Sequence, residues 1–156
     1  MIFHRNYFLG TTDKIDVLSI IHEINRAIRE SKATNGLAII MVPAPGAAVT
    51  IIEPLPEVIE TLKEAIRIFP GESAKTKNRK KEDIAIGPRV AAAMLGKTIS
   101  LPISEGRLAI GLREEPVLID LETKGKRREF FVHIFGEGGD EQQQQGRTPP
   151  QMRKGR

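Results

Sequence analysis

The sequence predicts an α+β fold in one folded domain, residues 1–135, followed by a tail, residues 136–156. Short strand patterns surround three helical patterns without the regular alternation of a parallel sheet. The last four strand patterns are separated by short turns, which favours antiparallel hairpins or a meander over parallel crossovers. The 156 residues are 40% apolar and include no cysteine, so we expect one hydrophobic core without disulfides.

The first part of the chain alternates between strand and helix signals. Residues 2–9 predict a strand, and an N-cap at Thr12 or Asp13 predicts the start of a helix that runs to Glu30. The pair Asn35–Gly36 then predicts a turn. The helical pattern rests on apolar residues spaced three or four positions apart, namely Val17, Ile20, Ile21, Ile24 and Ile28.

The rest of the chain predicts two more helices and six more strands. Pro54 and Pro56 open the second helix, because proline is tolerated in a first turn, and the third is a short helix that ends at Gly96. A lysine-rich loop precedes the third helix at residues 71–83. The predicted strands are residues 37–42, 47–53, 98–103, 107–111, 117–122 and 127–135.

Charge and composition restrict the partners. The net charge is +4, which is typical of a mixed-charge surface, and the lysine-rich loop has no aromatic residue on which bases could stack. Nucleic acid is therefore not the expected partner. The tail is a low-complexity segment and is predicted to be disordered. All five glutamines lie in the tail, so the folded domain has none. Depletion of heat-labile residues such as glutamine is seen in proteins from hot environments.

The chain shows no membrane or export signal. No apolar run approaches the roughly 20 residues of a membrane span. The first ten residues mix charged and aromatic side chains where a signal peptide has an apolar stretch. We therefore expect a cytoplasmic protein.

Four blocks in order carry a resemblance to a known family, namely residues 35–43, 47–53, 92–96 and 101–111. Together they resemble the YjbQ-like family of small uncharacterised proteins, some of which are labelled secondary thiamine-phosphate synthases. The resemblance covers about residues 2–135. It implies a β-sandwich with three flanking helices and mostly antiparallel strands, and a homotrimer as the usual assembly.

The chain departs from the family pattern where chemistry is expected. Ala44 stands where the family has a histidine, and Gly87 and Arg89 align with histidines on its helix. Ile52 replaces an asparagine, and residues 112–114 read Leu-Arg-Glu where the family has Thr-Trp-Gln. Because several potential catalytic groups are missing together, the resemblance implies a degenerate site, and we assign no catalytic residue.

The candidate ligand-binding residues are Glu53, Arg89, Arg107 and Glu114. Glu53 and Arg107 match the family, and an arginine at position 89 lies near a helix start, where it could bind phosphate or carboxylate bidentately. Three of them also have a structural interpretation. Glu53 could be a surface residue at a strand end, Arg107 an ion-pair partner that stabilises a hairpin, and Glu114 a partner of Arg113 or a strand terminator.

The three histidines do not indicate a metal site. His4, His22 and His133 stand outside the family's site positions, and no two of them have the local spacing of metal ligands. A structural or surface role is expected for each, and we expect neither a metal nor a cofactor.

These observations predict a catalytically degenerate YjbQ-like protein that acts as a trimeric binding or structural protein, with a small anionic ligand near Arg89 and Arg107. The alternative is an enzyme with thiamine-phosphate-synthase-like transferase activity. A second alternative is weak nucleic-acid binding through the lysine-rich loop and the tail.

Overall fold

In the computed structural model, residues 1–68 and 75–138 are described, and they form ten strands and three helices. Their order is β1 (Ile2–Gly10), β2 (Asp16–Ser19), α1 (Ile21–Ser31), β3 (Ala33–Met41), β4 (Ala47–Ile52), α2 (Pro56–Arg67), β5 (Lys75–Lys77), β6 (Asp83–Ala85), α3 (Ile86–Leu95), β7 (Thr98–Ser104), β8 (Arg107–Leu108), β9 (Glu115–Asp120) and β10 (Arg127–Gly138). No helix in these two ranges is long and apolar enough to cross a bilayer.

The strands form two main antiparallel sheets. The larger sheet has the order β1-β10-β3-β7-β8, and the smaller has the order β2-β9-β4. A separate hairpin joins β5 to β6 and carries an ion pair of 3.0 Å between Lys77 and Asp83. The prediction of an α+β fold with three helices and mostly antiparallel strands is confirmed.

The core has two parts, divided by the smaller sheet. The main part packs α1 against the inner face of the larger sheet, and Val49 and Leu118 of the smaller sheet close it. The second part lies on the other face of the smaller sheet, where Ile119 packs with Ile66 of α2 and Ala92 of α3. Alternation along β9 therefore supplies both cores, because successive side chains of a strand point to opposite faces.

The first helix begins later than its periodicity predicts. Residues 16–19 form β2, which pairs with β9, and α1 starts only at Ile21. The expected N-cap at Thr12 or Asp13 is therefore wrong, and the backbone N–H of Thr12 instead donates to the Asp16 carboxylate at 2.6 Å. Val17 satisfies both a helical and a strand pattern, and pairing with a distant strand overrides the local preference.

The expected turn at Asn35–Gly36 is also wrong, because both residues lie inside β3. Gly36 faces Gly136 on β10, and a Cβ at Gly136 would lie 2.0 Å from the carbonyl oxygen of Asn35. The glycine pair therefore marks a close approach of two strands, where a side chain on either residue would collide with the neighbouring backbone.

Only one of the predicted hairpins forms among the last four strands. β7 and β8 pair through Ser104 and Arg107, as expected. β9 instead pairs with β2 and β4, and β10 lies between β1 and β3 in the other sheet. The meander prediction is wrong here, because the two strands use partners far away in the sequence. β10 ends at Gly138, and the rest of the predicted tail lies outside the described residues, as do residues 71–74 of the lysine-rich loop.

Candidate functional site

A cleft of about 590 Å³ lies between α1 and the segment that follows β7. Ile21, Asn25 and Arg29 contribute to it from α1, and their four-residue spacing places them on one face of the helix. Residues between 106 and 115 line the rest of it. The cleft is thus built by two segments about 80 positions apart in the sequence, which the packing of α1 near β8 and β9 brings together.

Three guanidinium groups dominate the charge of the cleft, those of Arg29, Arg107 and Arg113. All three residues are exposed, and within the described ranges none of them forms an ion pair, although Glu114 and Glu115 line the same cleft. A guanidinium offers five donors in a planar fork that matches carboxylate and phosphate oxygens. The cleft therefore offers several donor groups to an anion.

Two tight backbone features position these side chains. Glu105 and Gly106 have φ of 52° and 74°, so the chain reverses sharply between β7 and β8 just before Arg107. The N–H of Gly106 donates to the carbonyl of Thr34 at 2.8 Å and ties this turn to β3. Further along, Glu114 folds back over Gly111, where a Cβ would lie 2.4 Å from its carboxylate oxygen.

The structure brings Arg107 and Glu114 into this cleft and leaves the other two candidates outside it. Glu53 is half-buried directly after β4. Arg89 lies in the first turns of α3, where it donates to the carbonyl of Ala85 at 2.9 Å and approaches Glu122 at 3.9 Å. The guanidinium of Arg89 is thus engaged inside the chain.

Glu122 belongs to a buried ionic cluster that was not among the sequence predictions. Arg128 donates to both carboxylate oxygens of Asp120 at 3.0 Å each and to Glu122 at 2.8 Å. Asp120 is fully buried. Burial is the largest single influence and raises the pKa of both carboxyls. The hydrogen bonds and charge of Arg128 lower both pKa values, and further hydrogen bonds to Asp120 act with them. The charges of Lys126 and Arg89 act in the same direction on Glu122, so each pKa lies below its usual value. The cluster joins β9 to β10, and hence one sheet to the other.

Lys97 lies close to Ala44, which belongs to the loop before β4. Its ammonium donates to the carbonyl of Ala44 and, at 2.9 Å, to that of Ala47. Burial lowers the pKa of Lys97, the nearby charge of Arg128 lowers it further, and Glu122 partly offsets both. Because the ammonium donates to these two backbone carbonyls, Lys97 ties the loop before β4 to the start of that strand.

Sequence reasoning missed Asn25 and Arg29 as lining residues and considered Arg113 only as a partner of Glu114. No local signal marks Arg29, because an exposed arginine near the end of a helix is ordinary. The acidic residues of the buried cluster carry a signal, since Asp120 and Glu122 interrupt an otherwise apolar strand pattern.

Comparisons with known proteins agree with this architecture. The family model described as "UPF0047 protein YjbQ-like" matches residues 5–137. The chain belongs to this YjbQ-like family. The resemblance inferred from the four sequence blocks is therefore confirmed. Among curated proteins, none matches this chain.

Solved structures of YjbQ-like and uncharacterised proteins share the fold. A YjbQ-like protein of unknown function from Sulfolobus solfataricus P2 is 22% identical with a TM-score of 0.79, over 88% of this chain and 99% of that chain. A hypothetical protein from Aeropyrum pernix K1 is 20% identical with a TM-score of 0.76, over 86% and 98%. A YjbQ/UPF0047 family protein from Clostridium acetobutylicum is 22% identical with a TM-score of 0.75, over 84% and 99%. At these identities the likeness establishes the fold alone.

Proposed function

We propose that this YjbQ-like protein is a homotrimeric binding protein that takes a small anionic ligand into the cleft between α1 and residues 106–115. The observation that carries the proposal is the set of three guanidinium groups without a carboxylate partner in the described structure. Charge-assisted hydrogen bonds from arginine to phosphate or carboxylate are short, strong and frequently bidentate. An anion therefore complements the cleft better than a neutral or cationic ligand.

The lining also indicates that the ligand has an apolar part. Ile21, Leu108 and Ile110 line the cleft beside the arginines. Its volume of about 590 Å³ lies within the range of small-molecule sites, roughly 300–1,000 Å³. We infer a ligand of metabolite size with at least one phosphate or carboxylate group.

Calorimetric titration with inorganic phosphate and pyrophosphate tests the anion site. Arg107→Gln and Arg113→Gln should each weaken binding about tenfold or more, because a hydrogen bond to a charged group contributes about 1.5–3 kcal/mol. Arg67→Gln is the matched control, since this exposed arginine ends α2 and does not line the cleft. Equal affinity of all three variants and the parent protein would refute the site.

The trimer rests on the family resemblance and on apolar surface at the cleft. Leu112, which lines the cleft, has a relative exposure of 101%, so a neighbouring copy could bury the whole side chain. Sedimentation should give a mass near three chains, and Leu112→Ser should shift the population towards smaller species. Leu55→Ser, at a leucine with 47% exposure away from the cleft, is the control. A monomer at micromolar concentration would contradict the assembly.

A further inference from the structure

The outer face of the larger sheet carries two histidines directly opposite each other. Strand register pairs His4 on β1 with His133 on β10, and His133 in turn faces Ile39 on β3. The rows on either side are mostly apolar. Ile2, Phe135 and Leu37 form one row, and Asn6, Phe131 and Met41 form the other. Neither histidine lines the arginine cleft, so this pair is a separate feature.

The two imidazoles meet edge to edge through one nitrogen each. Nδ1 of His4 lies 2.9 Å from Nε2 of His133, and the ring centres are 4.2 Å apart with the planes inclined at 49°. A straight N–H···N arrangement, which hydrogen bonds prefer, would separate the ring centres by about 5 Å. The rings are therefore bent away from a common line, and the two nitrogens lie side by side.

This spacing matches two neighbouring corners of a metal coordination sphere. With metal–nitrogen bonds of about 2.0–2.1 Å, two ligands at a right angle stand about 2.9 Å apart, and two tetrahedral ligands about 3.3–3.4 Å. The observed 2.9 Å fits the right angle. Square-planar or tetragonal nitrogen and oxygen sites are typical of Cu²⁺ and Ni²⁺.

We propose that His4 and His133 form a chelating site for a divalent transition metal of the Cu²⁺ or Ni²⁺ type. The metal takes the place of the hydrogen between the two nitrogens. The imidazole that donates this hydrogen in the free protein moves it to its other ring nitrogen, so each facing nitrogen presents a lone pair to the metal. Water completes the remaining coordination positions.

The sheet holds the two ligands ready for the metal. Both residues lie inside long paired strands, and the ring of Phe131 is 6.1 Å from that of His4 while the ring of Phe135 is 6.3 Å from that of His133. His4 is exposed and His133 half-buried, so the nitrogens are within reach of solvent. Residues 1–68 and 75–138 contain no cluster of three or more potential metal ligands, so His4 and His133 are the two protein ligands of the proposed site.

Titration of untagged protein with Cu²⁺, followed by calorimetry and electron paramagnetic resonance, tests the site. We expect one Cu²⁺ per chain with a spectrum that shows two coupled nitrogens. His133→Phe should weaken Cu²⁺ binding about tenfold to a hundredfold, because loss of even a residue that supports a metal ligand lowers metal affinity by about that factor. This variant is the decisive one because His4 stays unchanged on β1, so a loss of affinity must come from the ligand on the partner strand β10.

Two matched variants complete the experiment. His22→Phe removes the remaining histidine, which is exposed on α1, and should leave the affinity and the spectrum unchanged. Arg113→Gln should also leave metal binding unchanged, so failure of the anion site and failure of the metal site are distinguishable. The proposal is overturned if folded His133→Phe protein, checked by circular dichroism, binds Cu²⁺ with the parent affinity and spectrum, or if His22→Phe loses the binding.

Discussion

Replacing Asp120 with asparagine tests the ion pair that joins the two sheets. The change keeps the shape of the side chain and removes its charge. Asp120 has no exposed surface, and the side chain of Arg128 is only 8% exposed, so the guanidinium would be left largely buried without its main counter-ion. An uncompensated buried charge is among the few causes of large destabilisation by a single substitution.

The magnitude follows from the contacts. Two hydrogen bonds of 3.0 Å are lost or weakened, and breaking a buried pair by removing one partner costs about 3–5 kcal/mol. The bond of 2.8 Å from Arg128 to Glu122 remains and partly compensates the charge. We therefore expect the free energy of unfolding to fall by about 3 kcal/mol, towards the lower end of that range.

Urea unfolding at pH 7, followed by circular dichroism, measures this loss. Asp13→Asn is the matched control, because Asp13 is exposed and the same change there should stay within about 0.5 kcal/mol. A double-mutant cycle with Arg128→Met isolates the coupling, since neutralising both partners should cost less than the sum of the single changes. If the free energy of unfolding of Asp120→Asn lies within about 0.5 kcal/mol of the parent value, as expected for the Asp13→Asn control, the ion pair does not stabilise the fold as argued.

Three further predictions concern the same region. Folding lowers the pKa values of Asp120 and Glu122, so these carboxylates stabilise the fold above their unfolded-state pKa of about 4, and this stabilisation is lost as the pH falls below that value. Acid titration of the parent protein should show the loss of stability, and Asp120→Asn should show a smaller loss. Gly46→Ala would place a Cβ 2.3 Å from the Glu122 side chain, so displacement of that carboxylate should cost about 1–3 kcal/mol in urea unfolding, and an unchanged midpoint would contradict the close packing. Lys97→Met removes the donor to the carbonyls of Ala44 in the loop before β4 and of Ala47 at the start of β4, and it should lower the free energy of unfolding by about 1–3 kcal/mol. Amide hydrogen exchange in that loop should increase, and unchanged exchange would show that the lysine does not hold the loop.

Local chemistry in the sequence determined much of the fold. α2 begins at Pro56, and α3 ends next to Gly96, where proline and glycine signals predicted the helix ends. The strand predicted at residues 127–135 corresponds to β10, whose inward residues Phe130, Val132 and Ile134 are fully buried. Arg107 and Glu114 came from motif comparison, and both lie in the cleft. These features depend on residues within a few positions of one another.

Tertiary pairing decided the rest, because contacts between distant residues leave no local pattern. Residues 16–19 became a strand only because β9 was available to pair with them. Arg29 and Arg113 share a cleft although they lie 84 positions apart in the sequence. His4 and His133 lie 129 positions apart and meet at 2.9 Å through strand register alone. Sequence spacing reports which side chains share an element, whereas the packing of elements determines which of them share a site.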